Sequence, residues 1–372
     1  MAIARYIHQA FAFAETLSAT EEESAQSDPE ACQNPRISIV GIGGAGNRLL
    51  GNVIGIGGVG PDQCVAVNTD RGQLSRSLAG NKVLLGEDLV NGRGALGNVS
   101  TGRRALQLSA HRVTSFVEAS DITIILVGFG GGTGTAAGPL VAQWARTQVK
   151  PVLGVVALPF SHERERRFIA LRGLRKMAEA CDCTIVIDNA MSMEGENGVA
   201  GRLADLTAVC TVQSLTDALS NLDPVVGRNI MRVLMLGPLS TVFTHRLQRD
   251  QTLSSGLVEA LKTPSSNLPL AKAQGAVLLS TGPRPFGASQ AAQAYDTLSS
   301  LTGRRLSFAH GSLVSATEPR LCLLLTGYDY SSSIGSFVDL LTELYDVELG
   351  QPAGNLDKPL RLPIYQLERT LA

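Results

Sequence analysis

The run Gly130–Gly131–Gly132–Thr133–Gly134–Thr135, two residues beyond Gly128, sits between the apolar stretch "ITIILV" (122–127) and the helix-like stretch "GPLVAQWAR" (138–146). Glycine is poorly suited to the interior of a strand or a helix, so its concentration where one hands over to the other restricts what the chain can build there. Glycine permits positive φ and lets backbone N–H groups come close to a ligand. A helix N-terminus carries unpaired N–H groups and a partial positive charge, which together suit an anion such as phosphate. The threonine hydroxyls add donors, and Pro139 fits the first turn of a helix starting near Gly138. A flexible surface loop is the plain alternative, and it fits badly between two strongly patterned elements.

The same grammar recurs along the first half of the chain. "RISIVGIGGAGNRLLGNVIG" reads as strand, glycine turn and helix, and "QCVAVNTD" and "NKVLLG" read as further strands. Residues 103–120 read as one helix, followed after the opening stretch by the strand "VLGVVALPF", the helix "RERRFIALRGLRKMAEA" and the strand "CTIVIDN". Near-continuous apolar strands alternating with helices imply a parallel sheet covered on both faces. Ligands in such sheets bind at the carboxyl ends of the strands, where the glycine turns, "NTD", "LPF" and "IDN" all fall. Residues 203–222 read as one long helix ending at "NLDP". Beyond it, strands around 240–247, 275–282, 305–314 and 320–330 alternate with helices over 252–262 and 288–302, a second α/β domain without a glycine-rich phosphate loop.

The predicted organisation is therefore an N-terminal helix and acidic linker (1–35), a nucleotide-binding domain (36–200), a central helix (201–223), a second α/β domain (224–330) and a C-terminal helix and tail (331–372). Ile3, Ile7, Ala10, Ala14 and Leu17 form an apolar stripe that predicts a docking helix rather than a signal peptide, because His8, Gln9 and Glu15 break up the apolar part. At 44% hydrophobic, 17% charged and a net charge of −1, the chain has material for a good core and no basic field that points to nucleic acid. No apolar run reaches the roughly 18 residues that a membrane span needs. The six cysteines and five histidines show no metal-ligand spacing, and reduced thiols in a cytoplasmic protein are the expectation.

Taken alone, "GIGGAG" (41–46) fits the dinucleotide pattern G-x-G-x-x-G, with Asp70 at the end of the next strand where a ribose-binding acid sits. That supports a NAD-dependent Rossmann oxidoreductase. A Rossmann domain has no need of a second phosphate cradle, whereas this chain offers "GGGTGT" and also "GRGALG" (92–97). Several N–H-rich loops along one sheet edge suit a triphosphate better than a single pyrophosphate. A Walker loop is excluded, since neither glycine turn leads into Lys-Ser or Lys-Thr.

These motifs, in this order, resemble those of the tubulin/FtsZ family over roughly residues 36–330. "GGGTGT" before a helix is similar to the family signature, and "IVGIGGAGN" and "AVNTD" resemble its first two loops. "LVNGRGALG" resembles the loop that senses the terminal phosphate. "GVVALPFSHERERR", "IVIDN" and "RLADLTAVCTVQSL" resemble later site segments, and "GAVLLSTGP" and "RLCLLLTGYD" the C-terminal strands. The resemblance implies the tubulin/FtsZ fold, GTP or GDP accompanied by Mg2+, and a cytoplasmic, filament-forming protein acting in cell division. By it, Gly43, Gly44, Ala45, Gly46 and Asn47 cradle phosphate and ribose, with Asp70 on the second loop and Gly94 and Ala95 on the third. Gly131, Gly132, Thr133, Gly134 and Thr135 form the main phosphate nest. Glu163 accepts from the ribose, Arg167 binds nearby, and Asn189 and Asp205 recognise the base. A carboxylate suits guanine because it accepts from both N1–H and the exocyclic amine; the plainer reading of Asp205 is a solvated helix residue.

Departures from the family pattern are specific. Ala136 and Leu96 stand where glycines are usual, and Gly201 where an aromatic commonly stacks on guanine. In this family one subunit holds the nucleotide and the next supplies an Asn-x-Asp-x-x-Asp loop whose acids position water. The counterpart "NLDPVV" keeps Asn221 and Asp223 but has Val226 in the third position. Asp223 reads equally as an ordinary helix cap before Pro224. The expectation is head-to-tail contact with itself or another FtsZ-like chain, weak or absent hydrolysis, and a tail (358–372) that docks a partner. A GTP-binding regulator that does not itself polymerise is the alternative.

Overall fold

The computed structural model describes residues 35–57, 59–192, 199–248, 251–314 and 319–330. The apolar stripe of residues 3–17, the acidic linker and the C-terminal helix and tail all lie outside the described residues.

Strand β1 (Ile37–Ile42) runs into α1 (Gly43–Ile56), then β2 (Cys64–Asn68), the short α2 (Arg71–Ser75) and β3 (Asn81–Leu84). Helices α3 (Glu87–Val90), α4 (Val99–Leu108) and α5 (Ala110–Glu118) lead to β4 (Ile122–Gly128) and α6 (Gly132–Thr147). Next come β5 (Val152–Leu158), α7 (Arg164–Ala180), β6 (Cys183–Asp188) and the long α8 (Val199–Asn221). The second half holds α9 (Pro224–Leu234), β7 (Leu239–Arg246), α10 (Leu253–Ala260), β8 (Gly275–Gly282), α11 (Ala288–Thr302), β9 (Ser307–Val314) and β10 (Arg320–Tyr328).

All ten strands join one sheet in the order β3-β2-β1-β4-β5-β6-β7-β10-β8-β9. The first six are parallel, with Val40 opposite Val65 on one side and Ile125 on the other. β7 adds to β6 in parallel over Thr184 to Val186, while β10 pairs antiparallel with both β7 and β8. Side chains alternate across the strands, so Val40 and Ile42 enter one core and Ile37 and Ile39 the other. The first core is roofed by α4, α5, α6, α7, α10 and α11, the second by α1, α2, α8 and α9. Helix α8 ties the halves together: its Val212 and Leu215 share a core with Ile185 of β6 and with Val242, Val277 and Leu324 of the second half.

Three details differ from the sequence expectation. The single helix expected over 103–120 is two, broken at Ser109, which leaves helical geometry (φ −120°, ψ 15°). There its buried hydroxyl accepts from Gly86 N–H at 3.0 Å. The helix after "ITIILV" begins at Gly132 rather than near Gly138, so Pro139 lies inside α6 and not in its first turn. The glycines make this possible by letting α6 press against its neighbours: a Cβ on Gly134 would stand 2.4 Å from Gly128 O, and one on Gly132 2.6 Å from Asn98 O. Finally, α9 is an element the sequence announces only through its cap. Asp223 Oδ1 accepts from Val225 N–H at 2.8 Å and Pro224 occupies the first turn, as the plainer reading of that aspartate expects.

Candidate functional site

β1 and β4 are adjacent, and each ends in a glycine turn that becomes a helix N-terminus. This is where the strand order reverses direction, since β2 and β3 extend to one side and β5 and β6 to the other; a crevice opens there at the carboxyl ends. The two turns touch. Gly43 has φ +73°, and a Cβ there would lie 3.1 Å from Gly134 N. Gly44 and Ala45 continue into α1. A Cβ on Gly44 would meet Gln73 Oε1 at 2.6 Å, and one on Gly46 would meet Leu126 O at 2.3 Å. Gly43 thus supplies the turn, whereas Gly46 and Gly134 supply close helix-to-strand packing.

Neither Ile42 nor Gly131, the caps of α1 and α6, makes a side-chain cap bond, so the first N–H groups of both helices remain open to an anion. Asn47 gives a second, independent sign of a ligand. It is 6% exposed, and both its amide oxygen and its amide nitrogen lack a hydrogen-bond partner among the described residues. Burying an amide in this way is costly unless something pairs with it. The cradle therefore fits an anionic group carrying further donors and acceptors, as a nucleotide does.

The second and third loops close the cradle from one side. Thr133 and Thr69, both buried, share a hydroxyl–hydroxyl bond of 2.7 Å, and Thr69 Oγ1 also accepts from Ala95 N–H at 3.0 Å. Gly94 N–H donates to Thr69 O at 3.1 Å. Asp70 caps α2, accepting from Gln73 N–H at 2.9 Å, and its backbone pairs with that of Arg93 in an isolated antiparallel β-bridge. Gly92, Gly94, Leu96 and Gly97 all have positive φ, and Leu96 is 89% exposed in that strained conformation. An open cleft of about 520 Å³ borders this loop beside Arg93, Asn98 and Thr101. Thr135 Oγ1 accepts from Gly130 N–H at 2.9 Å and so fixes the turn before Gly131 and Gly132.

On the other side, Glu163 stands at the N-cap position of α7 without a side-chain cap bond, accepts from Phe160 N–H at 3.1 Å and pairs with Arg166. Arg167 forks onto Asp188 at 2.6 and 2.7 Å and donates to Pro159 O at 2.8 Å. The hydrogen bonds to Asp188 raise the Arg167 pKa still further, so its charge is fixed. Asn189 follows β6 directly in a short 3-10 turn that packs on α8. Asp205, in α8, is ion-paired with Arg48 of α1 at 3.0 Å. Asp223 stands apart, beyond the end of α8 at Asn221; the helix from Asp205 to that end is about 24 Å long.

Every residue expected at the nucleotide therefore lies on the carboxyl-edge loops or the helices that start from them. Thr69, Gln73, Asp188 and Arg48 were not singled out from sequence. "NTD" flagged the position of Thr69 without its partner; Arg48 and Asp205 are 157 residues apart, and no sequence pattern joins them.

The profile described as the Tubulin/FtsZ family, GTPase domain, matches residues 36–194. Cell division protein FtsZ 2 of Methanocaldococcus jannaschii is 32% identical over 259 residues, covering 66% of this chain and 67% of that one. FtsZ 2 of Halobacterium salinarum is 28% identical over 339 residues, covering 87% and 85%. Among solved structures, an empty FtsZ dimer of M. jannaschii superposes with a TM-score of 0.70 at 26% identity, covering 84% of this chain and 92% of that one. The GTPγS-bound CetZ2 protofilament of Haloferax volcanii has the same fold, with a TM-score of 0.69 at 23% identity over 84% and 99%. The NAD-dependent alternative loses its ground with these matches: the chain belongs to the tubulin/FtsZ family and carries its GTPase domain.

Proposed function

We propose that this chain binds GTP and GDP across the paired glycine turns, with Mg2+ entering alongside the nucleotide, and that it turns GTP over slowly. The observation that carries the reading is the meeting of two uncapped helix N-termini around the orphaned amide of Asn47. The phosphates lie against the N–H groups of Gly43 to Gly46 and Gly131 to Thr135, with Gly94 and Ala95 facing the terminal phosphate and Asp70 fixing the second loop. Glu163 accepts from the ribose, and Asn189 and Asp205 take the base. Arg167 acts through Asp188, which it holds at the end of β6.

Asp223, beyond the far end of α8, is too distant to serve the phosphates of its own chain, so any water-activating role belongs to a neighbouring copy. A nucleotide face at one end and a loop face at the other make a heterologous contact, which propagates as a filament. The protofilament and the dimer formed by the structural neighbours support such assembly, with itself or with another FtsZ-like chain. The relatives named as cell division proteins support a role in division or a related cytoskeletal task in the cytoplasm. Among the described residues, no helix is long and apolar enough to cross a membrane.

Slow turnover follows from the residues available. A positioned general base contributes roughly 10²- to 10⁴-fold in rate. Val226 cannot polarise water, and the Asp223 carboxylate is committed to capping α9. The test is phosphate release at saturating GTP and Mg2+, with Asp223→Ala alongside. Slow release, reduced no more than a few-fold by Asp223→Ala, is expected; turnover as fast as an ordinary FtsZ would show that the acids lie elsewhere.

A further inference from the structure

We propose that the Arg48–Asp205 ion pair reads the hydrogen-bonding edge of guanine as one unit, with Arg48 setting the preference for a purine that carries oxygen at position 6. The inference rests on the nucleotide reading above and adds the residue that selects the base. Arg48 Nη2 meets Asp205 Oδ1 at 3.0 Å, joining the second turn of α1 to α8. Arg48 lies five residues beyond Gly43, about 7–8 Å along the helix from the phosphate turn. That offset places the pair where the base of a nucleotide anchored on that turn extends toward α8. The Arg48 side chain is 59% exposed and that of Asp205 21% exposed. An ion pair this open contributes little to stability, so it can adjust around a ligand at little cost to the fold.

Guanine presents, side by side, an exocyclic amine donor, the N1–H donor and the O6 acceptor. A carboxylate with an adjoining guanidinium presents two acceptors and then donors, the complement of that edge. The contact with Asp205 uses one of the five N–H donors of Arg48, and among the described residues Arg48 has no other partner. A donor is thus free for O6 while the pair holds the carboxylate in place. Adenine offers an amine at position 6 and an acceptor at N1, so it opposes both members of the pair.

The experiment titrates the full chain and its Arg48→Ala, Arg48→Lys and Asp205→Ala variants with the Mg2+ complexes of GTP, ITP and ATP. ITP keeps O6 and lacks only the 2-amine. For Arg48→Ala the GTP-over-ATP preference should fall about ten-fold, with the GTP-over-ITP ratio unchanged and part of the loss recovered in Arg48→Lys. Asp205→Ala should lose the GTP-over-ITP preference. A merely structural tether would weaken all three nucleotides equally. Unchanged or increased GTP-over-ATP preference in Arg48→Ala would overturn the proposal, the pair then being a tether or a lock on Asp205. Failure of the unaltered chain to bind GTP would overturn the nucleotide reading itself, a result visible before any variant is made.

Discussion

At the scale of single residues, the glycine-rich turns do two kinds of work that look identical in sequence. Gly43 adopts positive φ, whereas Gly46 and Gly134 leave space that the carbonyls of Leu126 and Gly128 occupy. Replacing Gly134 would therefore disturb packing as well as binding, and Thr133→Ala is the cleaner probe of the ligand. It removes the hydroxyl bonded to Thr69 while Thr69 keeps its bond from Ala95 N–H. A hydrogen bond to a charged group contributes roughly 1.5–3 kcal/mol, so GTP affinity should fall about ten- to a hundred-fold with the fold retained. Calorimetric titration together with a thermal melt checks this; unchanged affinity would remove Thr133 from the phosphate nest. The positions of such residues were legible in the glycine and threonine pattern. Their partners were not, because Thr69–Thr133, Arg167–Asp188 and Arg48–Asp205 are contacts created by strand order.

At the scale of elements, apolar runs and turn residues predicted every strand of the sheet to within a few residues, since buried parallel strands carry little else. What escaped were changes made by local competition. Ser109 breaks a helix to satisfy Gly86, and α6 starts six residues early because close packing against β4 rewards glycine. Two element-level predictions follow from local chemistry. The Asp223 cap of α9 should contribute about 1 kcal/mol, measurable as a small drop in denaturation midpoint for Asp223→Ala; a much larger drop would mean that the carboxylate has further partners. On β9, burial pushes the His310 pKa below its ordinary 6.5, with Ser280 Oγ at 3.4 Å as its neighbour. The unfolded chain then binds the extra proton more readily, so this contribution is intact above about pH 6.5 and is lost as pH falls through that value toward the folded pKa. His310→Gln should flatten that part of the acid slope in chemical denaturation between about pH 7.5 and 5.5. An unaltered slope would place the proton uptake elsewhere.

At the scale of the whole molecule, one ten-stranded sheet carries the proposed nucleotide face at the carboxyl edge of its parallel half, and α8 leads from it toward Asp223. On the proposed reading, the separation of Asp205 from Asp223, about 24 Å along α8 and then the turn into α9, makes any hydrolysis a property of assembled chains. Turnover per chain should therefore rise with protein concentration, and electron microscopy with GTP and Mg2+ should show head-to-tail filaments, alone or mixed with another FtsZ-like chain. Turnover per chain independent of concentration would place all the reacting groups in one copy. Each of these expectations depends on the ligand held at the β1 and β4 turns. Equilibrium titration of the purified full chain with GTP and, separately, with NAD, each in the presence of Mg2+, tests that ligand directly. Saturable binding of one GTP per chain with no measurable NAD binding is the predicted result. Binding of NAD in preference to GTP, or of neither, would contradict the assignment of the paired glycine turns as a GTP site.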